Sequence, residues 1–165
     1  GQGTAQDYTK AAKWYFKAAD QGLADAQFNL AMMYDQGQGT EQSDSGAVYW
    51  LYKAAKQGHV ASQFNLGMKY LKGSGVSRDE TVAFKWMLLA AKQGDTGAQY
   101  NLAAMYVGGT GVKKDLVRAY AWDFLAASKG HPDAANELKA LKAVTKPLQR
   151  AAAIDMSDQL MGDGN

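Results

Sequence analysis

Cysteine is absent from the 165 residues. That excludes disulfides, thiolate catalysis and cysteine-ligated metal, while fitting any compartment. Net charge is scarce as well: 18 Lys and Arg against 16 Asp and Glu leave +2, with basic residues mostly single or paired, as at Lys113–Lys114. Such a chain carries no electrostatic footprint for nucleic acid or an anionic membrane, so neither is an expected partner. No apolar run approaches the ~20 residues that span a bilayer, and no membrane insertion is expected. Strand-like alternation of apolar and polar residues appears nowhere, which leaves an all-α chain. Apolar and charged fractions of 47% and 21% are those of a globular protein.

What the chain has is repetition. Trp14, Trp50, Trp86 and Trp122 are its only tryptophans, and they stand 36 residues apart. The alanine pairs at Ala18, Ala54, Ala90 and Ala126 keep that step, as do Gly22, Gly58, Gly94 and Gly130. The loop pairs Gly1/Gly3, Gly37/Gly39, Gly73/Gly75 and Gly109/Gly111 keep it too. AQFNL, SQFNL and AQYNL start at Ala26, Ser62 and Ala98, with a degraded AANEL at Ala134.

Each unit reads as two helices. In the first, helix A, Ala26, Leu30 and Tyr34 form an apolar stripe with Ala31 beside it. A glycine loop follows, suited to left-handed backbone. Asp79 and Asp115 stand where the second helix, B, needs an N-cap. In helix B, Ala83, Trp86, Met87 and Ala90 share a face. Lys56, Lys92 and Lys129 sit near its negative end, and Pro132 fits the N1 position of a following helix. One such pair cannot bury both its faces, so the pairs must stack, with a tryptophan in each layer of one continuous core. On this layout Trp86→Ala is expected to cost roughly 3–5 kcal/mol and Trp14→Ala less.

AQYNLAAMY from Ala98, GTGVKKD from Gly109, Ala119, Trp122 and AASKG from Ala126 together resemble the Sel-one-like repeat (SLR) family, a relative of the tetratricopeptide repeats. The likeness runs from about Gly1 to Leu138. It implies a right-handed α/α superhelix, a solenoid of 36-residue helix-turn-helix repeats forming a single domain. The expected division is a partial repeat 1–22, repeats 23–58, 59–94 and 95–130, and a C-terminal helix A with a capping helix over 131–165. Leu148, Ala152, Met156 and Leu160 are the expected capping face. Repeat two departs from the pattern with GTEQSDSG, where Ser43, Asp44 and Ser45 are alternative caps. Gly1 falls inside a repeat, so the chain reads as a segment of a longer protein. Its open N-terminal layer is expected to stack on upstream repeats or on another chain. The family implies a scaffold for protein–protein contact, often in bacterial secreted or envelope proteins.

The catalytic inventory is empty. GGTGVKKD follows a helix and lacks Walker-A spacing, and there is no His-Glu-x-x-His, Ser-x-x-Lys or Gly-x-Ser-x-Gly. His59 and His131 share a column just after a helix-ending glycine, a place for capping or solvent exposure. No catalytic residue, metal or cofactor is expected. What remains is the outward face of helix A: Phe28, Asn29, Met32 and Gln36, then Phe64, Asn65, Met68 and Lys72, then Tyr100 and Asn101. In solenoids of helix pairs the A helices usually line the concave side, where partners bind. The rings and amides there would hold a protein or peptide segment, or else the rings bridge neighbouring repeats. The alternatives are a hydrolase or binder of cell-wall or β-lactam-like molecules, which the family suggests, and a glycan-binding module using exposed rings such as Tyr100.

Overall fold

The computed structural model describes residues 7–162, so Gly1 and Gly3 lie outside the described residues. These form the helices α1 (Tyr8–Asp20), α2 (Ala24–Gln36), α3 (Asp44–Lys56), α4 (Val60–Lys72), α5 (Glu80–Lys92), α6 (Thr96–Gly108), α7 (Leu116–Ser128), α8 (Ala134–Val144) and α9 (Pro147–Gly162), with no strand among them. The all-α repeat of helix pairs is what forms. α2, α4 and α6 are helices A; α1, α3, α5 and α7 are helices B. Two compact units divide between Arg78 and Asp79.

Helix boundaries follow from capping. Asp79 accepts from the Val82 amide, and Asp115 from those of Val117 and Arg118. In the irregular repeat Ser43 is the cap, its hydroxyl 3.1 Å from the Gly46 amide. α2, α4 and α6 end on Gly37, Gly73 and Gly109 in the left-handed region. The second glycine of each loop serves a different need. A Cβ on Gly75 would lie 2.3 Å from the Asp44 carbonyl, and one on Gly111 2.0 Å from the Glu80 carbonyl oxygen. Each loop thus rests its backbone on the first turn of the helix B one repeat earlier.

In the first unit, α2 packs on α1 and α3, and α3 on α4. Leu30, Ala31, Ala47, Leu51, Ala54 and Leu66 form its buried centre. Trp50 is buried edge-on to Phe16, with ring centroids 5.9 Å apart. Trp14 is 69% exposed, and Trp86 in the second unit is half-buried. The four tryptophans therefore do not fill matching niches. Trp50 has the ring of an earlier helix B to lie against, whereas no helix precedes α1 among the described residues.

In the second unit α6 packs on α5 and α7, and α7 also carries α8 and α9. α7 is buried nearly all round, Trp122 included. Two expectations fail here. Pro132 lies outside α8, which starts at Ala134 with no side-chain cap. The capping face of α9 is also rotated: Leu148 and Ala152 are exposed, while Ala153 and Ser157 are buried with Met156 and Leu160 half-buried beside them. The Arg150 guanidinium donates to the carbonyls of Lys142 and Thr145, tying the start of α9 to the end of α8.

Candidate functional site

Helix A is held to the preceding helix B by a buried glutamine. The side-chain amides of Gln27, Gln63 and Gln99 donate to the carbonyls of Ala19, Ala55 and Ala91, at 3.0, 3.2 and 3.1 Å. Each bond adds a second donor to a carbonyl in the last turn of helix B that already accepts from the amide of Gly22, Gly58 or Gly94. Sequence reasoning passed over these residues, although a polar residue recurring beside the apolar stripe was their signal. In the first unit Gln27 Oε1 in turn accepts from Gln57 Nε2 at 2.8 Å. Lys129 occupies the Gln57 column in the last repeat, and there Gln99 Oε1 is buried without a partner. Lys129→Gln is therefore expected to stabilise the protein by about 1 kcal/mol, the worth of one restored bond, in urea melts. An unchanged or lowered midpoint would mean that Gln99 Oε1 is already satisfied.

The outward face of helix A is only partly free. Phe28 lies against His59 with centroids 4.9 Å apart, and Tyr100 stacks on His131 at 4.5 Å and 17°. Within each unit, then, the ring spans to the residue that opens the next helix A. His59 caps α4 through the Ser62 amide at 3.2 Å and pairs with Asp25 at 3.3 Å. His131, flat on Tyr100, caps nothing, and its Nδ1 is buried without a partner.

Asn65 and Asn101 each donate one side-chain N–H to the carbonyl four residues back, Ala61 and Gly97, at 2.8 Å. Asn29 and Met32 line an open hollow of about 280 Å³ with Tyr8, Tyr15 and Met33. Phe64 and Met68 are half-buried on α4, while Gln36 and Lys72 are exposed at their helix ends.

Two departures from the repeat put charge where the pattern has none. Lys69 stands in the column of Met33 and Met105, and its ammonium binds the carboxylates of Asp35 and of Asp44, the latter at 2.6 Å. Burial pushes the ammonium down, yet the two carboxylates carry it above the usual lysine range; the Lys69 bond holds Asp44 below the usual carboxylate range. This knot ties α2, α3 and α4 together beside the irregular loop. Asp123 stands in the column of Leu51 and Met87, 2% exposed, with Oδ1 unpartnered. Burial, then the nearby Glu137, pushes its carboxyl up to about 7.

A larger apolar hollow, about 480 Å³, opens on α1 between Trp14, Phe16, Leu30 and Tyr34, with Lys10, Lys13 and Lys17 around it. Among the described residues no three His, Asp or Glu side chains are placed to hold a metal ion, and no helix is long and apolar enough to cross a membrane.

A family model described as Sel1 repeat matches residues 1–23, 24–59, 60–95 and 96–131. No curated protein matches the chain. Among solved structures, a Sel1 repeat protein from Oxalobacter formigenes is 34% identical, with 99% of this chain and 68% of that one covered and a TM-score of 0.83. A protective antigen present in uropathogenic Escherichia coli strains, displaying an SLR fold, is 32% identical over 98% of this chain and 43% of its own, with a TM-score of 0.69. The cysteine rich protein B of Helicobacter pylori is 24% identical, covers 84% of this chain and 100% of its own at a TM-score of 0.63, and shares the fold.

Proposed function

Because the chain belongs to the Sel1 repeat family, we propose that it works without catalysis, as a scaffold gripping a protein or peptide segment along the outward faces of α2, α4 and α6. The observation that carries this reading is the state of those columns. Phe28, Phe64 and Tyr100 are half-buried, so each ring is fixed in place but keeps accessible apolar surface. Asn65 and Asn101 spend one N–H on their own helix, which orients the amide and leaves its oxygen and second N–H for a peptide backbone. Met32 and Met68 add apolar surface that adapts to its ligand. The hollow on α1 supports a second contact, with upstream repeats or another chain lying over Trp14.

The test is a quantitative pull-down from the native host with the wild type and the double variant Asn65→Ala, Met68→Glu. Partner recovery is expected to fall at least about tenfold, the equivalent of roughly 1.4 kcal/mol. Undiminished recovery with a correctly folded variant would refute a helix-A binding face.

A further inference from the structure

The second unit keeps a carboxyl group in its core. Asp123 is on α7, the helix over which α8 and α9 pack, and it takes the place that Leu51 and Met87 fill with apolar side chains in their own repeats. It is 2% exposed and its Oδ1 has no hydrogen-bond partner. An ionised carboxylate in such a place is strongly disfavoured unless a cation or several donors meet it.

None does. From α8 the charged group acting on it is Glu137, of its own sign. Tyr100 of α6 shares the field of Asp123, Asp133 and Glu137, and His131 lies flat on that ring. Lys139 and Lys142 line a separate hollow with Tyr120, and Arg150 of α9 is occupied by two backbone carbonyls. Arg118, on α7 itself, pairs with Asp115, and Asp155 of α9 is exposed.

The helices packed on α7 are thinly held. In α8 only Ala134 and Leu141 are buried, its start has no side-chain cap, and the buried residues described in α9 are the small Ala153 and Ser157. Little apolar burial therefore opposes local opening of this pair.

We propose that α8 and α9 form a proton-operated cap: seated on α7 while Asp123 is protonated, and released more readily once it has lost its proton. Opening lets water reach the carboxylate and restores its ordinary acidity. The sign follows from the raised value in the closed state. The closed cap is most stable below the ordinary aspartate range, near pH 4, and loses stability as pH rises toward about 7. The opening constant rises about tenfold per pH unit in that window and levels off above it, so between pH 5 and pH 8 the expected change is about a hundredfold. Since opening bares α7, the exposed surface of the protein would differ between acidic and neutral surroundings.

Hydrogen exchange read by mass spectrometry, with intrinsic rates corrected for pH, tests this on the intact chain. Protection of α8 and α9 is expected to fall about a hundredfold from pH 5 to pH 8 while that of α2 and α3 stays level. Asp123→Asn, close in shape and without charge, should abolish the dependence. Asp123→Leu, which restores the residue type of the Leu51 column, should abolish it and raise protection at pH 8. A wild-type profile that is flat in pH would overturn the proposal. So would an unchanged pH dependence in both variants, which would move the titrating group elsewhere.

Discussion

Gly111→Ala is expected to lower the unfolding free energy by about 3–5 kcal/mol, far beyond the ordinary cost of replacing a turn glycine. Two effects add. The residue has φ near +67°, where a side chain costs about 1–2 kcal/mol. Its new Cβ would also stand 2.0 Å from the Glu80 carbonyl oxygen, which belongs to the backbone of a helix start and cannot swing aside. The loop must lift off α5 or the first turn of α5 must unwind. Gly130→Ala is the control, because φ is +84° there and a Cβ would meet nothing within 4 Å. It should cost only the conformational part. Equal losses for the two variants in urea melts would show that the loop does not need its contact with the helix start.

Trp122→Ala is expected to cost about 3–5 kcal/mol as well, by opening a cavity in a fully packed place. The site is 2% exposed and lies in a helix buried on nearly every side. Trp14→Ala is expected to cost under about 1 kcal/mol, since that ring is 69% exposed and lies under the ammonium of Lys17 at 4.8 Å. The repeat register alone assigns the large effect to Trp86, but that ring is half-buried, and the packed indole is one repeat later. Denaturant midpoints of the two single variants decide the matter. Similar losses at positions 14 and 122 would contradict the difference in burial on which the expectation rests.

The helix pairs, the caps Asp79 and Asp115 and the loop glycines were legible because each is a local decision, taken by the backbone within four residues. What escaped was decided across helices. Gln27 looks like one more letter of AQFNL until its amide is seen to donate to the carbonyl of Ala19 on the preceding helix. Gly75 and Gly111 read as turn formers, yet their second duty is to let two backbones touch, and sequence spacing carries no trace of that distance. Leu148, Ala152, Met156 and Leu160 make a sound helical stripe, but in the packed helix Ala153 and Ser157 go inside, a choice made between helices that periodicity alone does not carry.

The outward face of helix A was legible as positions and less so as contacts. Phe28 and Tyr100 are where the periodicity placed them, and the rings that meet them come from the residues opening the next repeat. Asp123 was the least readable of all. A single acid among apolar columns is an ordinary surface letter until burial makes it a titrating group near neutrality.

The most direct measurement is a hydrogen-exchange footprint of the protein with a partner recovered in the pull-down, at a fixed pH. Binding along the helix-A faces would slow exchange in α2, α4 and α6 and leave the outer turns of α3, α5 and α7 unchanged. Slowed exchange confined to the B helices, or a footprint gathered at one small pocket, would contradict recognition spread along the repeats.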